Sequence, residues 1–332
     1  WRAHHRKSGA KSWAQLSGAI VAAVPSSARS QHFGDALITR SRKLGHPLCV
    51  GLDPHLAAIP PLFRRGSMTL SDPSTADAVE AFCSSVVDRV AGRVAIVKPQ
   101  IAFFEQLGWA GMRALSNVMA RARSAGLLVL VDAKRGDIGS TAEGYANAFF
   151  GEGAPFEADA ITLNPYMGLD TLEPFALAAE RAAAGLFVLA KTSNPGSGDL
   201  QDLQVEGSPV YERVAESLAP LAERLAGPET GWSSLGVVVG ATWPEQHDAV
   251  RKHLPKALFL VPGYGAQGGG AADSVRGFSS GPNGLEGGIV NSSRGILFPP
   301  GGDTADVKAW EAAVDEALER SIGELGEATG AN

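Results

Sequence analysis

The strongest constraint on this chain is a repeated alternation. Past Asp35, short apolar runs rich in β-branched residues alternate with longer stretches whose apolar residues recur at helical spacing. The runs cover residues 48–53, 94–99, 127–134, 158–165, 186–192, 235–242, 258–263 and 287–293. Helical patterns follow them at 77–90, 109–125, 140–150, 169–184, 210–225, 244–254 and 306–324, with a poorer segment at 271–278. The runs are apolar throughout, as a strand buried on both faces requires. Parallel neighbours need crossover helices, and right-handed β-α units can close on themselves. Eight such units predict an α/β fold, a (β/α)8 TIM barrel, with a further helix over residues 33–44 capping one end.

At roughly 150 residues per domain the 332 residues allow two domains, but a barrel of about 250 residues is one domain and no composition shift divides the chain after Asp35. The expected organisation is an N-terminal extension over 1–32, one barrel domain over 33–325 and a polar tail over 326–332. The extension has no Asp or Glu and carries Arg2, Arg6, Lys7, Lys11 and Arg29. That composition matches an organelle transit peptide, and the other reading is a disordered extension or a translated upstream fragment. The expected compartment is the cytoplasm, or a plastid or mitochondrion if residues 1–32 are a transit peptide.

Several classes are excluded by composition. A net charge of −6 is unlike the basic footprint of a nucleic-acid binder. No apolar run approaches the ~20 residues of a membrane span. The two cysteines, Cys49 and Cys83, form no CxxC or zinc-spaced cluster, so no metal site is indicated. Gly is abundant, at 40 of the 332 residues, which implies tight turns and close backbone approaches. A small-molecule partner is expected.

In a barrel the polar residues at the carboxyl ends of the strands converge on one site. Here they are Asp53, Lys98, Asp132 with Lys134, Asn164, residues 191–193, Thr242, the 263–270 loop and residues 292–294. A lysine ending a buried strand must find a carboxylate or a substrate anion. In Asp132-Ala133-Lys134-Arg135-Gly136-Asp137-Ile138-Gly139, Asp132 and Lys134 are two apart and point to one side, while Asp137 falls in the turn before the next helix. Two carboxylates flanking an ammonium hold it in place and keep it protonated. An ion pair at the barrel rim is the plainer reading of the same residues.

Arg294 ends the eighth run, where barrels bind phosphate on the loops after strands seven and eight. The 263–270 loop offers backbone amides, the Gln267 side chain and Tyr264 as a further phosphate or lid contact. Its Gly263-x-Gly265-x-x-Gly268 spacing matches a dinucleotide fingerprint but follows the seventh run instead of opening the first βαβ unit. Loops 194–208 and 266–283 are long enough to be functional. Cys49 reads as a small core residue. His247 and His253 read as surface residues of a helix, and His55 as a loop residue.

Seven stretches carry a resemblance as a set. They are Leu48-Cys49-Val50-Gly51-Leu52-Asp53-Pro54, Val97-Lys98-Pro99-Gln100, the Asp132 segment through Ser140-Thr141, Leu163-Asn164-Pro165-Tyr166-Met167-Gly168, Lys191-Thr192-Ser193-Asn194-Pro195, Val261-Pro262-Gly263-Tyr264-Gly265 and Asn291-Ser292-Ser293-Arg294-Gly295. Together they resemble the orotidine 5′-phosphate decarboxylase family, most closely its bacterial-type or type 2 branch. The resemblance implies a barrel homodimer with shared active sites and no metal or cofactor. Its expected reaction is conversion of orotidine 5′-phosphate to uridine 5′-phosphate and CO2 in pyrimidine biosynthesis.

The resemblance also implies residue roles. Asp53 and Lys98 would hold the ribose hydroxyls, while Asp132, Lys134 and Asp137, with Lys98, would form a charge network around the reacting carboxylate. Lys134 is similar to the family's proton donor. Asp137 and Thr141 would reach into the neighbouring subunit's site, Arg294 and Gln267 would bind phosphate, and Ser193 would read the pyrimidine ring. Two other classes fit parts of the pattern. One is another phosphosugar enzyme, either a metal-dependent keto-acid sugar-phosphate decarboxylase or a Schiff-base aldolase using Lys191 or Lys134; the other is a non-catalytic phosphate-binding barrel.

Overall fold

The computed structural model describes residues 31–265 and 268–331. The predicted extension, apart from Gln31 and His32, lies outside the described residues, as does Gln267. Eight parallel strands close into a barrel: β1 Leu48–Leu52, β2 Ile96–Pro99, β3 Leu128–Arg135, β4 Ala160–Leu163, β5 Gly185–Lys191, β6 Leu235–Val239, β7 Leu258–Val261 and β8 Gly288–Ser292. Each pairs with the next in sequence, and β1 pairs with β8. The predicted (β/α)8 architecture is therefore observed.

Helix α1, Phe33–Leu44, lies at the amino end of the barrel. Phe33 is buried edge-on against Phe187, with ring centroids 6.1 Å apart. Gly185 makes that possible, because a Cβ there would come 2.3 Å from the Phe33 ring. Burying such a ring stabilises the fold by about 1.5–3 kcal/mol, enough to hold the plug in place. The lumen is filled by inward positions that alternate along each strand, among them Cys49, Ile96, Leu128, Leu130, Ala160, Phe187, Leu258 and Leu260. The other face of each strand packs under the helices α2 Ser74–Val90, α3 Gly108–Ser124, α4 Gly139–Phe150, α5 Glu173–Ala182, α6 Val210–Arg224, α7 Pro244–His253, α8 Ala271–Val275 and α9 Val307–Thr329.

Four sequence expectations need correction. The tail predicted from Gly326 is the last turn of α9, because Leu325 and Thr329 are buried and the Thr329 hydroxyl donates to Leu325 O at 3.0 Å. The stop comes at Gly330, whose φ of 68° suits glycine. The segment 169–184 divides into a 3-10 turn, Leu169–Leu172, and α5, with Pro174 in the first turn of the helix. Segment 271–278 holds only the five-residue α8, followed by a hairpin of Ser279–Gly281 with Gly284–Glu286.

His247 is the fourth correction. It is fully buried on the inner face of α7, its Nε2 donating to Gly240 O at 3.0 Å and its ring edge-on to Phe259. The ring takes a core position because α7 buries little else than Val250. His253 is half-buried and lies 3.6 Å from Glu212. Among the described residues no helix is long and apolar enough to cross a membrane.

Candidate active site

The barrel alternation delivers side chains in sequence to its carboxyl end. Following inward positions by twos leads from Cys49 through Gly51 to Asp53, from Ile96 to Lys98 and Gln100, from Leu130 to Asp132, and from Ile289 to Asn291 and Ser293. The last members of these rows, Asp53, Lys98, Gln100, Asp132, Asn291 and Ser293, line a cavity of about 650 Å³. Its floor is apolar, from Leu189, Val238 and Leu260. Gly51 lets the Ser293 side chain seat against β1, since a Cβ there would fall 1.9 Å from the Ser293 hydroxyl.

One wall is a row of alternating charges. Asp53 Oδ1 lies 4.0 Å from Lys98 Nζ, Lys98 Nζ 3.1 Å from Asp132 Oδ2, and Lys134 Nζ 2.6 Å from Asp132 Oδ1. Asp132 accepts two bonds at each oxygen: Lys134 and Thr162, the latter at 2.9 Å, meet Oδ1, while Lys98 and Gln100, the latter at 2.9 Å, meet Oδ2. Burial alone would raise the Asp132 pKa, but the two ammoniums and their hydrogen bonds outweigh it and hold the carboxyl well below the usual range. Burial would likewise lower the Lys98 pKa, and Asp132 with Asp53 reverses it and keeps the ammonium charged. Beneath them, burial pushes the Cys49 thiol up to about 12, so it stays protonated and inert.

Two features of this wall stand out. Asp53 Oδ1 is buried and has no hydrogen-bond partner, which is costly unless a ligand supplies one. Lys134 has a φ of 46°, a left-handed conformation that side chains seldom adopt. Such strain persists where the surroundings over-determine it, commonly at functional sites.

The opposite wall comes from the strand-end loops. Thr192, Ser193 and Asn194 follow β5, Pro262 to Tyr264 follow β7, and Ser293 with Arg294 follow β8. The loop after β5 is tied down, with Thr192 N donating to Gln201 Oε1 and Gln201 Nε2 to Thr192 Oγ1, both at 2.9 Å.

The family model described as "Orotidine 5′-phosphate decarboxylase / HUMPS family" matches residues 46–306. An orotidine 5′-phosphate decarboxylase of Rhodopirellula baltica is 47% identical over 283 residues, covering 83% of this chain and 92% of that one. One from Clostridium novyi is 42% identical, covering 80% and 88%. The chain belongs to this family. The barrel is shared with a solved structure titled as a putative orotidine-monophosphate decarboxylase from Toxoplasma gondii, at 32% identity and a TM-score of 0.72, covering 91% of this chain and 99% of that one. Membership makes the chain an enzyme of the carboxy-lyase class, related to the bacterial decarboxylases.

Of the site residues expected for a decarboxylase of this family, Asp53, Lys98, Asp132, Lys134, Ser193 and Arg294 line the one cavity. Asp137 and Thr141 do not face it. The Asp137 carboxylate accepts from Ile138 N at 2.8 Å, and Thr141 is exposed on the first turn of α4. Tyr264 borders the cavity, but its hydroxyl turns away to Glu324 at 2.6 Å. The amides expected from the glycine-rich loop are partly consumed within it, those of Gly265, Gly268 and Gly269 bonding to the loop's own carbonyls. Asn164 accepts from its own turn at Tyr166 N, and Thr242 donates to Ser193 O, so both support loops.

Lys191 is buried outside the cavity, bonded to Asp202 at 2.7 Å with Trp243 4.8 Å away, which removes it as a Schiff-base lysine. His55, expected as a loop residue, lies on the cavity wall with its ring edge-on to Phe103. Gln100, Thr162, Gln201 and Asn291 were not singled out by sequence. The inward alternation would have marked Gln100, Thr162 and Asn291, each two residues beyond a lumen position. Nothing local marks Gln201, which is brought in by the fold of its loop.

Proposed function

We propose that this cavity converts orotidine 5′-phosphate to uridine 5′-phosphate and CO2, with Lys134 as the proton donor and no metal or cofactor. The observation that carries the reading is the row from Asp53 through Lys98 and Asp132 to Lys134 on one wall of a cavity that also bears Arg294. The bond from the pyrimidine ring to its carboxylate breaks, CO2 leaves, and the electron pair stays on the ring carbon. An ammonium already fixed beside that carbon stabilises the developing anion at little reorganisation cost. Lys134 then gives it a proton and is reprotonated from water.

Asp132 keeps the ammonium oriented, and its own ionisation is secured by four donors. The unpaired Asp53 oxygen accepts from a ribose hydroxyl, with Lys98 beside it. Arg294 and Gln267 take the phosphate, and Ser193 reads the ring. Because the phosphate is remote from the breaking bond, its binding energy is available to organise the loops.

The working unit in this reading is a homodimer, with Asp137 and Thr141 completing the partner's cavity. Support comes from the rim around them, where Ile138, Tyr166 and Met167 are large apolar side chains left exposed. Purified protein given orotidine 5′-phosphate in the presence of chelator should show the substrate absorbance loss. An absence of turnover, or a strict metal requirement, overturns the reading. Mixing inactive Lys134→Ala and Asp137→Ala proteins should restore activity if sites are shared, and a mixture that stays inactive overturns the sharing.

A further inference from the structure

We propose that Thr162 is a positioning residue for the Asp132–Lys134 pair, fixing the carboxylate and the lysine backbone through one hydroxyl. The proposal rests on the reading of the cavity as a decarboxylase site. Thr162 lies on β4, fully buried, two residues beyond the lumen position Ala160. Its Oγ1 accepts from Ala133 N at 2.9 Å and from Lys134 N at 2.8 Å, and it donates to Asp132 Oδ1 at 2.9 Å. A hydroxyl has one proton to give and two lone pairs to receive, so all of its capacity goes to three consecutive residues.

The ladder explains why those amides are available. Between Val131 and Arg135 the β3–β4 register shifts. Ala133 and Lys134 therefore lose their strand partners at the point where Lys134 takes its φ of 46°. Buried amides without partners are expensive, and the Thr162 oxygen supplies both. The same hydroxyl shares Oδ1 with the Lys134 ammonium, which orients that oxygen toward Lys134 and leaves Oδ2 to Lys98 and Gln100. One side chain thus couples the strained backbone of the lysine to the carboxylate that receives its ammonium. Thr162 does not line the cavity, so it acts through its neighbours and does not touch substrate.

The test compares Thr162→Val, which keeps the shape and removes all three bonds, with Thr162→Ser, which keeps the hydroxyl. Thr162→Val should lower kcat by about 10²-fold, the scale of a small misplacement of a reacting group, while KM changes less than about 3-fold. Thr162→Ser should stay within about 5-fold of wild type in kcat, the rescue expected when the hydroxyl is what matters. Circular dichroism and uridine 5′-phosphate binding establish that each variant is folded. Should the valine variant not fold, Thr162→Ala, which also lacks the hydroxyl, carries the same comparison with serine. Equal impairment in serine and valine, a loss confined to KM, or wild-type kcat in Thr162→Val each overturns the proposal. No turnover in the wild type overturns the decarboxylase reading and this proposal with it.

Discussion

The two ends of the barrel both bury charge, and they do so in opposite ways. At the amino end Asp35 is fully buried and accepts from Thr230 Oγ1 at 2.6 Å, Thr230 N at 2.8 Å and Glu229 N at 3.2 Å. Nearby, the half-buried Arg251 guanidinium donates to the carbonyls of Leu254, Ala257, Gly277 and Gly287, and Glu286 is shared by Arg42 and Trp232. The chain meets the needs of these groups itself, and the void beside Arg42 and Glu286 holds only about 30 Å³. At the carboxyl end the charges pair with one another along one wall of a cavity of about 650 Å³, Lys134 is strained, and an Asp53 oxygen has no partner. Buried charge at one end serves the fold, and at the other it is arranged for something that binds.

The difference is sharpest for rate against stability. Lys134→Ala should lower kcat by more than about 10³-fold, the loss of a preorganised cation and a proton donor together. Its melting temperature should hardly move, because the Lys134 side chain is 45% exposed and such pairs contribute little to stability. A mild kinetic effect would remove Lys134 from the chemistry. Asp35→Ala should do the reverse, costing about 2–4 kcal/mol in denaturant unfolding by stranding buried amides, with kcat unchanged in the folded protein. A kinetic defect there would break the division between the two ends.

Arg294 tests whether the carboxyl end is organised around a phosphate. Arg294→Ala should reduce kcat/KM for orotidine 5′-phosphate about 30-fold, or ~2 kcal/mol, typical of a lost charge-assisted bond. Turnover of orotidine, which lacks the phosphate, should be the same in variant and wild type. Equal losses on both substrates would place Arg294 in a structural role.

What the sequence made legible follows from the same contrast. Asp53, Lys98, Asp132 and Lys134 were visible because charge at the end of an apolar run is anomalous. Thr162 was not, because threonine is an ordinary strand residue and only its place in the inward alternation sets it apart. Lys98 and Lys191 look alike in sequence, since each ends an apolar run. A register shift between Leu189 and Lys191 sends the second behind Trp243, a fact about pairing that no single strand carries. His247 was misplaced for a related reason: its burial depends on the thin apolar face of α7 and on a carbonyl, Gly240 O, from another element.

The smallest expected effect belongs to His46, at the amino end just before β1. Its Nδ1 accepts from Leu48 N at 3.2 Å, so Nε2 carries the proton donated to Arg93 O at 2.9 Å. A second proton would break the first bond. Burial lowers the His46 pKa, against a smaller opposing pull from the Arg93 carbonyl. The folded ring therefore binds its proton less readily than the unfolded one, whose pKa is about 6.5. The stabilisation is fully present above that value and declines as pH falls from there toward the folded pKa. Melting temperature should rise between pH 5.5 and 7, and the slope should shrink in His46→Gln, with His247 supplying a remainder of the same sign. Over that range Asp132 stays ionised and Lys98 protonated, so neither gives kcat a slope. An undiminished thermal slope in His46→Gln would break the assignment of the amino end to stability.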